Sequence, residues 1–520
     1  MSKMLKSSGA MGIATMLSRV LGMCRVIIYA RFMGDSLVAS AFYFAFQVPN
    51  LFRRLLGEGA LSAALVPLLK EREVLAGEKG VWATANAALS MLFCVCSIAV
   101  GLIIAGCTFL LWYGGWTWET QLFIELLRVM SPYVIMVCTA AVLMGVCNAR
   151  GYFFLPALGA TMLNIVMILA VLFLAPRLGA ELDQQIFGLA IGVLVAGLFQ
   201  MFFQLPVLMK QGFRPQFVNP WNHPTVNEIV RRMLPGIVGV AAFQINVLLT
   251  NWIAYSHASH IVASFEYAVR LMELPQGVIG VSLATFLLPT LSGLAAEKKF
   301  PEFRSTLKEG MEFVFYANLP ATVMLFVLAE PIVRLLFEWS SFDAAATYRC
   351  QFALRCLVPG LVAFSLVNVC ARAFFALGDV KTPMHISVFC MATNVILAFQ
   401  LIPSFEQGGM GIANSLTSCL NLGLLIYALR RKFPKFSFAD KVGAMNAVIA
   451  ASVLAGLVAW GLYLWLDGLM GREGIVARLV VVFVPLLVSG TIYFGTTLWL
   501  KVKPATEVMG LLKSKLDKST

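Results

Sequence analysis

Charged side chains are scarce in this sequence: Asp, Glu, Lys and Arg make up 12% of its 520 residues, where soluble domains carry about 25%. With 60% hydrophobic residues and a mean hydropathy of +0.85, that scarcity excludes a fold solvated mainly by water. Strict apolar–polar alternation is missing too, which excludes a transmembrane barrel. Histidine is nearly absent. His223, His257, His260 and His385 lie mostly in connectors. His257 and His260 have the one-turn spacing of a metal pair, but no nearby Cys or carboxylate completes a site, so no metal or other cofactor is expected. There is no Gly-Lys-Ser/Thr loop, no His-Glu-x-x-His and no Gly-x-Ser-x-Gly, which removes nucleotide hydrolysis and hydrolytic catalysis. Lys3 and Lys6 precede an apolar stretch as in a signal peptide, yet Arg19 interrupts it and no small-x-small cleavage site follows. The first segment therefore reads as a retained helix.

What is present is a recurrence of apolar stretches about 20 residues long, the pattern a helix needs to satisfy every backbone amide within lipid. The fold class expected is an all-α polytopic membrane protein with fourteen spans, near 8–32, 36–58, 82–112, 120–148, 155–175, 186–209, 229–255, 262–292, 309–329, 349–376, 383–402, 409–429, 443–466 and 476–500. The eleven cysteines lie nearly all inside such stretches and read as small hydrophobes rather than a disulfide framework. Charge tests the count. One set of alternate connectors holds 25 Lys and Arg, including Lys70, Arg72, Lys79, Arg150, Arg231 and Arg232, the run 430–441 and the tail lysines. The other holds 6: Arg31, Arg177, Arg334, Arg349, Arg472 and Arg478. This bias places both termini in the cytoplasm. It also explains the net charge of +13 without invoking nucleic acid.

An internal repeat divides the chain. Ala41 to Leu69, through Pro49 to Val-Pro-Leu-Leu, is echoed by Ser264 to Leu291, through Pro275 to Leu-Pro-Thr-Leu. Gly188 to Lys210 is echoed by Gly411 to Lys432, and Gly151 to Pro156 by Gly378 to Pro383, with Asn164 and Asn394 following. The three segment comparisons imply an offset of roughly 222 to 227 residues. Two six-helix lobes in the same orientation are expected, 1–215 and 225–435, with two additional helices over 440–500 and a basic tail over 501–520.

Eight of the 39 Lys and Arg remain outside the connectors, all arginines: Arg19, Arg25, Arg53, Arg54, Arg128, Arg270, Arg355 and Arg372. An arginine near the bilayer centre costs about 2.5–3.5 kcal/mol on insertion scales. Arg31, Arg128, Arg355 and Arg372 lie where snorkelling to the interface accounts for them. Arg19 and Arg25 lie in the body of the first span, with Ser18 on the same face as Arg25. Arg53 and Arg54 close the second span before Gly57-Glu58-Gly59, and Glu266, Arg270 and Glu273 form an acid–base–acid stripe in the eighth. Arginine, with its planar fork and permanent charge, points to phosphate or pyrophosphate as the ligand.

The stretches Ser18-Arg19-Val20-Leu21-Gly22, Pro49-Asn50-Leu51-Phe52-Arg53-Arg54 with Glu58-Gly59-Ala60, Arg270-Leu271-Met272-Glu273-Leu274-Pro275 and Gly378-Asp379-Val380-Lys381-Thr382-Pro383 resemble the MurJ (MviN) lipid II flippases of the multidrug/oligosaccharidyl-lipid/polysaccharide exporter superfamily. The resemblance implies two lobes in a V around a central cavity, and a lipid groove formed by the two additional helices. It further implies that Arg19, Arg25 and Arg270 contact the pyrophosphate of lipid II, with Arg53, Arg54, Glu58 and Glu273 needed for binding or for the inward-to-outward rearrangement. Two departures stand out. The family commonly carries an acid where this chain has Ser40, and another where it has Val269; Glu266, one turn before Arg270, is expected to supply the missing partner.

The function expected is therefore a plasma-membrane flippase acting by alternating access as a monomer among membrane lipids, driven by a membrane potential or ion gradient, with no enzymatic step. Its rivals are an O-antigen-type flippase or multidrug exporter of the same superfamily, and a membrane enzyme acting on polyprenyl phosphates. A cation exporter would line its interior with carboxylates. The enzyme would need paired acidic metal ligands or a nucleophilic His.

Overall fold

Proline and glycine set where these apolar helices break. The structure, a computed structural model, describes residues 2–516 except 58, 59, 153, 222, 435 and 473. Among them all regular structure is helical, and contacts divide the chain into two compact units, 1–263 and 264–520. The first unit holds α1 (Ser2–Met33), α2 (Leu37–Phe52), α3 (Ala60–Tyr113), α4 (Trp118–Met130), α5 (Tyr133–Ala149), α6 (Phe154–Leu169), α7 (Leu182–Phe202), α8 (Leu205–Lys210) and α9 (Pro224–His257). From the start of α10 (Ile261–Pro275) the chain passes into the second, with α11 (Ser282–Ala296), α12 (Phe300–Val327), α13 (Ala329–Phe337), α14 (Ala344–Leu357), α15 (Leu361–Ala376), α16 (Lys381–Phe405), α17 (Gln407–Lys432), α18 (Val442–Met470), α19 (Ile475–Trp499) and α20 (Lys503–Leu516).

Each of the fourteen expected segments is occupied by helix. Eight described helices are long and apolar enough to cross a membrane, nine if α4 and α5, bent by 41°, form one span. The remainder are interrupted or carry charge. Pro49 lacks the N–H that would bond one turn back, and α2 passes into a π turn at Arg53–Gly57. Pro275 ends α10 in the same way, before a π turn at Gln276–Val281. The two turns begin 223 residues apart.

Gly188 and Gly411, also 223 apart, permit backbone approaches that no larger residue allows. A Cβ on Gly188 would stand 2.6 Å from Ala175 Cα, and one on Gly411 2.9 Å from Leu357 N. Close approach of this kind holds helices together where lipid removes the usual hydrophobic drive.

In the first unit α3 is broken at Gly77, which takes φ +60° inside the lysine-rich connector. Its two halves bury Leu61, Leu65 and Leu68, then Val81, Ala85 and Ala88, a spacing that keeps one helical face turned to α5 and α9. The extended segment after α8 has no strand to pair with, so side chains satisfy it. Asn86 donates to Arg214 O at 3.0 Å and accepts from Gln216 N at 3.1 Å, and Ser90 accepts from Val218 N at 2.9 Å. The second lobe is expected from 225, whereas the compact units divide after Ala263. The reason is that α9 packs on α3 and is tied there by Arg72–Glu228 and Arg232–Glu71, both at 2.9 Å.

In the second unit α11, α12, α15 and α17 share a core that includes Leu291, Phe303, Leu307, Val314 and Phe374. The additional pair, α18 and α19, packs together and against α12 through Ala451, Ala455 and Ala459, and Tyr493 donates to Tyr316 O at 2.6 Å. The basic tail forms α20, anchored by buried Val502 and Ala505 and by Lys503 on Glu309 at 2.6 Å.

Candidate functional site

The arginines of α1 are positioned by α6. The Asn164 amide donates to Ser18 O at 3.0 Å, beside Gly22. Arg19 is exposed and Ser18 half-buried. Arg25 lies over the Tyr29 ring at 5.6 Å, half-buried, and its Nε is buried without a hydrogen-bond partner. Tyr29 in turn is wedged against Phe42 and Tyr43 of α2. A buried guanidinium N–H lacking an acceptor costs about 1–3 kcal/mol. A ligand oxygen at that point would recover it.

Arg53 and Arg54 occupy the π turn, both half-buried, with Arg53 Nε bonded to Asn50 Oδ1 at 2.9 Å. Glu58, expected to act with them, and Gly59 lie outside the described residues. Ser40, where the family commonly has an acid, is fully buried and accepts the Ala263 N–H at 3.1 Å. An ionised carboxylate there would be desolvated, and the hydroxyl supplies the acceptor without that cost.

In the second unit the expected stripe is closed by ion pairs. Arg270 meets Glu273 at 2.8 Å and Glu266 at 3.4 Å, its side chain 37% exposed and that of Glu266 12%. Val269 stands beside it, half-buried. Arg270 is thus held between two carboxylates, and a phosphate would have to compete with them.

Of the four arginines expected to snorkel, Arg355 and Arg372 have local partners. Arg355 Nε donates to Phe326 O at 3.3 Å, Arg372 lies over Phe375 at 5.9 Å, Arg128 is half-buried near Cys107, and Arg31 is exposed. Sequence reasoning missed Arg334. It was assigned to a connector, but lies in α13, 4% exposed, paired with Asp467 of α18 at 2.6 Å. The signal was its spacing of four from Glu330 within the apolar run Ile332 to Phe337. Arg478 of α19 joins this cluster, donating to Arg334 O and Glu338 O and stacking on Trp339 at 4.6 Å. The Gly378–Pro383 motif is a helix start: Gly378 takes φ +73°, and Asp379 accepts from Thr382 N and Oγ1 and pairs with Lys432 at 2.8 Å. Burial alone would raise the Asp379 carboxyl, but Lys432 and Thr382 outweigh it and hold it down at about 2. Among the described residues no three His, Cys, Asp or Glu gather into a metal site, and the eleven cysteines are free thiols.

Comparison with known proteins supplies the context for these arginines. Residues 29–484 match the family described as lipid II flippase MurJ. A probable lipid II flippase MurJ of Vibrio cholerae is 31% identical over 502 residues, spanning 90% of this chain and 94% of that protein. A lipid II flippase MurJ of Burkholderia cenocepacia is 32% identical over 463 residues, spanning 86% and 88%. A solved lipid II flippase MurJ in an inward closed conformation superposes with a TM-score of 0.77 at 22% identity, over 93% of this chain and 98% of that one. An inward-facing multidrug resistance MATE transporter of the MOP superfamily gives 0.65 at 16% identity, over 81% and 95%. At those identities the solved structures speak to the fold alone, whereas the match over residues 29–484 speaks to kinship: the chain belongs to the lipid II flippase MurJ family, whose members are transporters and not enzymes.

Proposed function

We propose that this chain, a bacterial inner-membrane protein with both termini in the cytoplasm, flips lipid II from the inner to the outer leaflet by alternating access. Arg19, Arg25 and Arg270 take the pyrophosphate, helped by Ser18, while Arg53, Arg54, Glu58 and Glu273 tune binding and the rearrangement between access states. The polyprenyl tail stays in lipid throughout. No bond is made or broken, so the residues need only hold and release an anion. Bidentate guanidinium contacts suit that task because they strengthen where water is excluded. An anionic head moving outward down an inside-negative potential gains about 2.3 kcal/mol per charge per 100 mV, which supplies a driving force without a nucleotide site.

The observation that carries this reading is Arg25 Nε, buried on a membrane helix with no acceptor. The test is complementation: in a host depleted of its own lipid II flippase this chain restores growth, and Arg19→Ala, Arg25→Ala or Arg270→Ala loses the rescue at equal membrane abundance. Full rescue by all three variants would remove the pyrophosphate role. A wild-type chain that restores O-antigen export but not growth would favour the sister activity.

A further inference from the structure

Two cavities in the second unit share Lys441 as a wall. One, about 350 Å³, is lined by apolar side chains of α12, α15 and α17, among them Phe315, Leu366, Leu422 and Ile426. The other, about 380 Å³, is polar, lined by Arg304, Lys308, Glu309 and Asp440. Both fall within the roughly 300–1,000 Å³ of ligand pockets. No residue of α10, α11 or α19 lines either one, which separates them from Arg270 and from a groove needing both additional helices.

The charges around the mouth are nearly all matched. Lys308 pairs with Asp440 at 3.0 Å, Lys441 with Glu312 at 2.7 Å and Lys503 with Glu309 at 2.6 Å. Lys503 also lies 3.8 Å from Glu507, so the charges balance overall, but Arg304 has no carboxylate partner among the described residues and its guanidinium is left open to an anion. Glu312 lines the apolar chamber, its side chain 8% exposed; one oxygen is on Lys441, which walls both chambers, and the other, Oε1, is buried with no hydrogen-bond partner. A buried carboxylate oxygen left unsatisfied is costly. The site therefore offers a planar cation at its mouth and an apolar chamber behind, with an unmet acceptor in the chamber wall.

We propose that this double cavity binds one monoanionic phospholipid of the surrounding bilayer, with its phosphodiester on Arg304, a head-group hydroxyl donated to Glu312 Oε1 and an acyl chain in the apolar chamber. The open guanidinium of Arg304 suits a single phosphodiester, and a phosphatidylglycerol head supplies the hydroxyl. Such a lipid would tie α12 to the start of α18. The assignment does not depend on the transported substrate.

The test uses the full chain in detergent, with native mass spectrometry against phosphatidylglycerol and phosphatidylethanolamine and a phosphatidylglycerol bearing a diazirine on its acyl chain. Phosphatidylglycerol should be retained on the order of tenfold better than phosphatidylethanolamine, and crosslinks should map to α12 and α17. Arg304→Glu should remove that preference; Leu422→Trp, which fills the chamber, should remove the crosslinks, and either variant decides if the other fails to fold. Equal retention of the two lipids, crosslinks confined to other helices, or binding unmoved by both variants would overturn the site.

Discussion

Arg334 and Asp467 meet at 2.6 Å with side chains only 5% and 13% exposed, fastening the short helix α13 to α18. Removing one member of a buried pair leaves the other charge desolvated, at a cost of about 3–5 kcal/mol, whereas replacing both with apolar residues is often neutral. Asp467→Ala should therefore lower the unfolding temperature in detergent sharply, and Arg334→Leu with Asp467→Leu should restore most of it. Arg472, 3.5 Å from Asp467, is far more exposed, and Arg472→Ala should change little. A double variant as unstable as the single one would show that the helices are held by something other than this pair.

Gly411 tests the close approach of α17 to α14. A Cβ there would lie 2.8 Å from Cys356 Cβ, 2.9 Å from Leu357 N and 3.0 Å from Ala353 O, two of which are backbone atoms that cannot rotate away. Gly411→Ala should destabilise by about 1–3 kcal/mol. Gly423, in the same helix, would meet nothing within 4 Å, and Gly423→Ala should stabilise by up to about 1 kcal/mol through helix propensity. Thermal unfolding of the two variants side by side separates packing from propensity.

Asp379 sets a pH dependence whose sign follows from its depressed carboxyl. Lys432 and Thr382 stabilise the charged form in the folded chain, so the contribution is complete above the ordinary value near 3.8 and disappears as pH falls toward about 2. Solvent screening limits it to about 1 kcal/mol. Asp379→Asn should be less stable than wild type at pH 7 and indistinguishable from it near pH 2. A stability difference that persists unchanged across that range would assign the effect to the cap hydrogen bonds instead.

Much of this was legible in sequence because lipid imposes simple rules. Every expected span is helical since a buried backbone has no other choice, but the π turns after Pro49 and Pro275 fall inside the spans 36–58 and 262–292, which the sequence reading runs through without a break at either proline. The stripe Glu266, Arg270, Glu273 was readable from spacing, because one helix face brings those residues together without help from the rest of the fold. Arg334 was not. Its burial depends on α18 bringing Asp467 against it from 133 residues away, a distance over which no periodicity speaks. Nor was the place of α9, since the ion pairs of Glu228 and Arg232 with α3 join segments about 160 residues apart.

Arg25 and Arg270 should separate function from stability in opposite ways. Arg25 has one ring contact and an unpartnered Nε, so Arg25→Ala removes about as much cost as benefit and should leave unfolding within about 1 kcal/mol of wild type while abolishing rescue. Arg270 neutralises two carboxylates, so Arg270→Ala should lower stability and rescue together. Glu266→Gln then decides what the glutamate is for. It keeps the shape and a hydrogen-bond acceptor but withdraws the buried negative charge, freeing Arg270 toward an anion. If Glu266 supplies the acid that Ser40 and Val269 do not, the variant should impair rescue nearly as much as Arg270→Ala, with the loss traced to transport rather than to folding. A silent Glu266→Gln would leave Glu273, at 2.8 Å, as the only acid of the stripe that matters.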